Sequence, residues 1–253
     1  MDWSDEGIVL AARRHGESSA VVQLLTRDHG RHAGLAQGGR ASKGRGVYQP
    51  GNLLSVHWRA RLAEHLGSYA CELSHGYSAL LLDEPLRLAG LSSACAMAEA
   101  ALPERHPYPK LYAGLVVLLD ALVSSTAWAA VYARWELGLL DELGFGLDLS
   151  ACAATGATED LIYVSPKSGR AVSRRAGEPY RDKLLPLPGF LVNREGGGDD
   201  GEILAALKLT GSFLDRHVFA PHDRRLPDAR GRFIDRLSRS PPISGGIKGH
   251  DHA

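Results

Sequence analysis

Between Leu53 and Arg61 the chain alternates without a break. "LLSVHWRAR" puts Leu54, Val56, Trp58 and Ala60 on one side of an extended backbone and Ser55, His57, Arg59 and Arg61 on the other. A two-residue period of this kind marks a half-buried β-strand. Weaker versions run through residues 7–14, 19–27, 31–39 and 67–75, parted by the turns "HGESS", "RDHG" and the long "GRASKGRGVYQPG". Five short strands with little helix between them predict a small closed or nearly closed barrel.

After Glu84 the period lengthens. "PLRLAGLSSACAMAEAAL" and "KLYAGLVVLLDALVS" read as two buried helices divided by the breaker "PERHPYP", with Pro85 suited to a first helical turn. In "AWAAVYARWELGLLDELG" an apolar stripe runs through Trp128, Val131, Tyr132, Trp135, Leu139 and Leu143, and Gly144 supplies a C-terminal cap. Further helices are predicted at "EILAALKLTGSFLDRHVF" and "RGRFIDRL", after the glycine-rich break at 196–201. The tail 239–253 has the composition of a disordered segment.

Between the helices, "CAATGATEDLIYVSPKSGRAVSRRA" opens as a zinc ribbon opens and then lacks the ligands. A structural zinc site uses four thiolate or imidazole donors, commonly paired as C-x₂-C. Here the partner position of Cys152 is Thr155, and the second pair is replaced by Ser173 and Ala176. One donor of four predicts a hairpin held by packing and not by metal.

Composition narrows the function classes. With 44% apolar and 23% charged residues, the 253-residue chain supports one large domain or two moderate ones. Three scattered cysteines form no disulfide framework, so a cytoplasmic location is expected. The acidic start "MDWSDEG" is unlike a signal peptide, and Asp120 interrupts the longest apolar run, so neither export nor a membrane partner is expected.

Net charge is zero, so attraction to a polyanion has to come from local clustering. The one cluster is N-terminal: Arg13, Arg14, Arg27, Arg31, Arg40, Lys43, Arg45, Arg59 and Arg61. It reads either as a solvated face or as a phosphate-binding groove in which cations release counterions from a nucleic acid. Arg59 and Arg61, on one side of one strand, favour the groove. The loop "GGRASKGRG" is not a nucleotide-binding P-loop, but mobile backbone with basic side chains suits a phosphate clamp. Trp58 reads as core, and Tyr48 as the better candidate for a base contact.

Catalytic patterns are missing. There is no H-E-x-x-H, no G-x-S-x-G and no dinucleotide fingerprint. Asp141 and Glu142 read as solvated, His217, His222, His250 and His252 as incidental, and Cys71 and Cys95 as core. The chain is expected not to be an enzyme and to need no cofactor.

The order barrel, helical body, ribbon remnant is similar to the RecO family of bacterial recombination mediators. The likeness is most specific at "GIVLAARRHGESSAVVQLLTRDHGRHAGLAQGGRASKGR" and "WELGLLDELGFGLDLSAC", with "YVSPKSGRAVS" fitting too. It extends over roughly residues 5–237. The resemblance implies an α+β multidomain protein: an N-terminal OB-fold β-barrel at 1–82, then an α-helical domain at 83–238 carrying a degenerate, metal-free zinc-ribbon-like hairpin at about 148–178. It also implies binding of single- and double-stranded DNA, annealing of complementary strands, and loading of RecA on DNA coated by single-strand DNA-binding protein. The implied partners are RecR, the C-terminal tail of the single-strand DNA-binding protein, RecF and RecA, at the nucleoid. No catalytic residue is implied. Many members carry two C-x₂-C pairs in the ribbon, and this chain departs from them at Thr155, Ser173 and Ala176. The competing reading from another class is a protein–protein adaptor whose basic barrel face binds acidic peptides.

Overall fold

A computed structural model describes residues 1–37, 46–193 and 196–240. Five strands come first: β1 (Asp2–His15), β2 (Ser19–Thr26), β3 (Gly30–Ala36), β4 (Leu53–Arg59) and β5 (Ser68–His75). They close into a barrel in the order β1-β2-β3-β5-β4, antiparallel except for a two-residue parallel pairing of β3 with β5. The long β1 closes it: its first half pairs with β4 and its second with β2, across a register shift between Val9 and Ala11. Followed across the strands, the row that leaves β1 at Arg14 passes Ala20, Ala36, Tyr69 and Trp58 and returns at Trp3. Such stagger is what closes a small barrel, and five strands in this order make an OB-fold.

β4 follows its predicted alternation, with Leu54, Val56 and Trp58 buried and Ser55, His57 and Arg59 exposed. β1 and β2 alternate less cleanly because both of their faces are covered. Val9, Val22 and Leu24 fill the barrel with Leu54, Val56 and Trp58, while Ile8, Leu10 and Leu25 point outward into the core of the helical domain. A strand buried on both sides carries a continuous apolar run instead of an alternating one. Each of the three outward side chains contributes about 1.5–3 kcal/mol by burial, which seats the barrel on the helices.

The helical domain is built on α1 (Pro85–Ala101), α2 (Pro109–Ser124), α3 (Trp128–Glu142), α4 (Asp200–Leu214) and α5 (Asp228–Leu237). α1 begins with Pro85 in its first turn, as predicted, and α2 likewise begins with Pro109, which the sequence reading placed in the preceding breaker. α4 begins with a capping box the sequence reading missed: Asp199 Oδ1 accepts from the Glu202 N–H at 2.8 Å, and Glu202 Oε2 accepts from the Asp199 N–H at 3.2 Å. Buried Glu136 on α3 receives Arg230 of α5 at 2.7 and 2.8 Å and the hydroxyl of Thr210 on α4, tying three helices together.

Between α3 and α4 lies a three-stranded sheet of β6 (Leu161–Val164), β7 (Ala171–Ser173) and β8 (Leu185–Pro186), in the order β7-β6-β8. Leu161, Val164, Ala171, Val172 and Leu187 belong to the main core. These side chains pack the hairpin onto the helical domain. Among the described residues no helix is long and apolar enough to cross a membrane.

Candidate nucleic-acid interface

The nine basic residues expected at the interface separate into groups. Arg13 reaches Glu99 of α1 at 2.5 Å. Arg27 is surrounded by Asp28 at 3.2 Å, Glu6 at 3.7 Å and Asp5 at 4.0 Å, and its hydrogen bond to Asp28 holds its pKa above the ordinary value. The Arg31 side chain is only 16% exposed; it donates to the carbonyl of Leu102 at 2.8 Å and pairs with Glu104 at 3.2 Å. Arg31 is thereby part of the junction between barrel and helices and not of an open face. These three cations already have carboxylate partners.

Arg14, Arg59 and Arg61 are exposed and have no carboxylate partner among the described residues. Arg14 stands opposite Ala20 and Arg59 opposite Asp2, at the two ends of β1. Arg59 is the last residue of β4, so Arg61 lies beyond the strand, in the loop 60–67. Arg40, Lys43 and Arg45 fall outside the described residues. β3 runs beside the loop 60–67, since the Leu35 N–H donates to the Gly67 carbonyl at 3.0 Å.

That loop is held firmly. Trp58 Nε1 donates to the Leu66 carbonyl at 2.9 Å, and Arg105, from the α1–α2 connection, donates to the carbonyls of Ala63, Glu64 and His65. Gly67 has φ +65°, and a Cβ there would overlap the Trp58 indole, so only glycine closes the loop.

Beside it lies an aromatic group that no periodicity revealed. The Trp3 ring stacks on His29 at 4.0 Å and 8°, and on Trp58 at 5.5 Å and 20°, with His32 set edge-on to both tryptophans. Burial brings the His32 pKa down to about 4, with Arg105 adding to the effect, so the ring is neutral. Tyr48, the expected base contact, is instead half-buried against the barrel core and hydrogen-bonded to Cys71, with its hydroxyl pushed up to about 12 by burial.

A second feature is an apolar groove between α2 and α3, lined by Lys110, Val117, Val131, Arg134, Trp135 and Glu142. Trp135 is buried, and among the described residues its indole N–H has no acceptor. Glu142, read from sequence as solvated, is only 19% exposed on its side chain and stands 4.0 Å from Lys110.

At the ribbon, Cys152, Thr155 and Ser173 do come together. Ser173 donates its backbone N–H and its hydroxyl to the sulfur at 3.3 and 3.4 Å, and the Thr155 hydroxyl donates as well. Ala176 is half-buried against the main core. One sulfur with two alcohols and a methyl is not a donor set for Zn²⁺. Among the described residues no cluster of three or more metal-ligating side chains occurs.

Residues 1–77 match the family described as "Recombination protein O N terminal", and residues 82–226 match "Recombination protein O C terminal". The protein named DNA repair protein RecO from Rhodospirillum centenum is 55% identical over 247 residues, 97% of this chain and 98% of the relative. Its namesake from Ruegeria sp. is 52% identical over 240 residues, 94% of this chain and 99% of the relative. That from Phenylobacterium zucineum is 51% identical over 240 residues, 95% and 99% of the two chains. The likeness read at residues 7–45 and 135–152 thus extends across both modules, and the chain belongs to the RecO family.

Proposed function

We propose that this protein is a non-enzymatic mediator of DNA repair and recombination, acting on DNA through the barrel rim that carries Arg59 and Arg61. The observation that carries the reading is the match of both family modules, in order, over nearly the whole chain. Two free guanidiniums at the end of β4 and just beyond it support contact with the sugar–phosphate backbone. Such contact carries little sequence preference. Neutralising two strands on one rim lowers their repulsion and raises their effective concentration, so complementary strands anneal without bond chemistry.

The groove between α2 and α3 supports a protein contact. Its apolar floor, Lys110 at one end and the acceptor-seeking indole of Trp135 suit an apolar side chain with an acidic or carboxylate neighbour. The C-terminal tail of the single-strand DNA-binding protein has that chemistry. In this reading the protein works in the cytoplasm at the nucleoid, binds single- and double-stranded DNA, and with RecR helps load RecA on coated DNA.

The test is annealing of complementary strands coated with single-strand DNA-binding protein, with and without RecR. Faster annealing with this protein is the expected result, and no acceleration refutes the reading. In a salt titration, about four phosphate contacts give a log–log slope of roughly −3 for single strands. A slope near zero, or complete displacement of DNA from the barrel by an acidic peptide, favours the adaptor reading instead.

A further inference from the structure

Resting on the proposed DNA contact, we propose that the pocket between the barrel end and the α1–α2 connection holds one unpaired nucleobase of a bound single strand. The pocket encloses about 560 Å³, and Trp3, His29, His32, Ala63, Arg105 and Pro107 are among its walls. That is room for a base and its sugar.

Three observations support this occupant. First, the rings of His29, Trp3 and Trp58 form a continuous stack whose inner end, Trp58, is 2% exposed and whose outer end, the His29 side chain, is 34% exposed. A flat ring added at the outer end extends the stack. His29 is already oriented for this, because Asp5, with no side-chain exposure, holds its Nδ1 at 2.9 Å. A preorganised ring loses little freedom on binding.

Second, the surroundings suit a neutral flat ligand better than a cation. Of its two carboxylates, Asp28 is paired with Arg27 and Asp2 lies 4.0 Å from the His57 ring, while the Arg105 guanidinium lines the same cavity. Third, Ala63 of the pocket wall lies two residues from Arg61 in the same loop. A strand whose phosphates lie on that loop passes the pocket mouth. Stacking accepts any base, since every base has a π-face, which agrees with binding that ignores sequence. Paired bases stay inside the duplex, so the pocket discriminates single strands from double.

The test compares a short oligodeoxycytidine with an abasic oligomer of equal length and charge, on the full chain at one salt concentration, with tryptophan fluorescence as a second readout. The expected result is binding about tenfold tighter for the strand with bases, accompanied by a fluorescence change that the abasic strand does not produce. Ala63→Trp, made in an exposed loop, fills the pocket. It should abolish the tenfold preference, read as the ratio of the two strands' affinities for the variant. Equal affinity for the two strands, or a preference that survives Ala63→Trp, overturns the subsite while leaving backbone binding in place. If neither strand binds, the proposed DNA contact falls and the subsite with it.

Discussion

Ser173 gives both its backbone N–H and its hydroxyl to the sulfur of Cys152, 21 residues earlier in the chain. Two of the positions read in the sequence as degenerate ribbon positions are here joined by hydrogen bonds around one buried sulfur. Cys152→Ala leaves the Ser173 donors unsatisfied and should cost about 1–3 kcal/mol of stability. Chemical denaturation followed by far-ultraviolet circular dichroism checks this.

The same contacts make stability depend on pH. Burial raises the Cys152 pKa, but donation from Ser173, Thr155 and the Ala154 backbone outweighs it and brings the thiol down from 9.0 to about 6. A group whose pKa is lower folded than unfolded contributes fully above its unfolded value and loses that contribution as pH falls through the folded one. Stability should therefore rise between about pH 6 and pH 9 on this account. The urea midpoint of the wild type, compared with that of Cys152→Ala across the window, isolates the effect, and parallel profiles would refute it.

Added zinc should do nothing to the fold. A complete structural site contributes on the order of 10–16 kcal/mol of apparent binding energy, and one sulfur with two alcohols does not form such a site. The expected melting temperature is the same with equimolar Zn²⁺ and with a chelator. Near-stoichiometric zinc in protein purified without a polyhistidine tag would contradict it.

Arg230 and Glu136 form a buried pair joining α5 to α3, with side-chain exposures of 6% and 0%. Removing one partner strands a charge, so Arg230→Met should destabilise by about 3–5 kcal/mol. The double variant Arg230→Met with Glu136→Leu should recover most of the loss. Urea unfolding of the four proteins in a double-mutant cycle measures the coupling.

The basic residues of the barrel should separate by function. Charge reversal at Arg59 and Arg61 together should weaken DNA binding about tenfold or more at low salt, alike for all sequences. Arg13→Ala should leave affinity nearly unchanged. Arg31→Ala should instead lower stability by about 1–3 kcal/mol, because it frees the Leu102 carbonyl and Glu104 at the domain junction. Fluorescence anisotropy alongside thermal melts distinguishes the two classes.

Much of the architecture was legible along the chain. The alternation of Leu54, Val56 and Trp58 placed a barrel strand, Pro85 opened its helix, and Gly144 follows α3 with φ +85°. These features arise from contacts within one element, where side-chain period and backbone freedom suffice. The start of β1 was hidden because Asp2, Ser4, Asp5 and Glu6 look like a polar terminus; only the fold reveals that Asp5 is buried beneath His29 and the backbone of Asp28. Trp3 was missed with it, and its stack forms only when β1, the β2–β3 turn and β4 meet at the barrel end.

Sequence by itself determined the barrel, the helical body, the loss of the zinc donors and the supply of cations. Tertiary structure decided which of those cations are available. Arg13 and Arg31 look no different in sequence from Arg59 and Arg61, yet closure of the barrel onto the helices brings Glu99 and Glu104 to them, while Arg27 has Asp28 beside it in sequence and gains Asp5 and Glu6 only from the paired strands. The reason is physical: composition counts charges, whereas binding depends on charges left without a partner, and most of these partners lie far away in sequence.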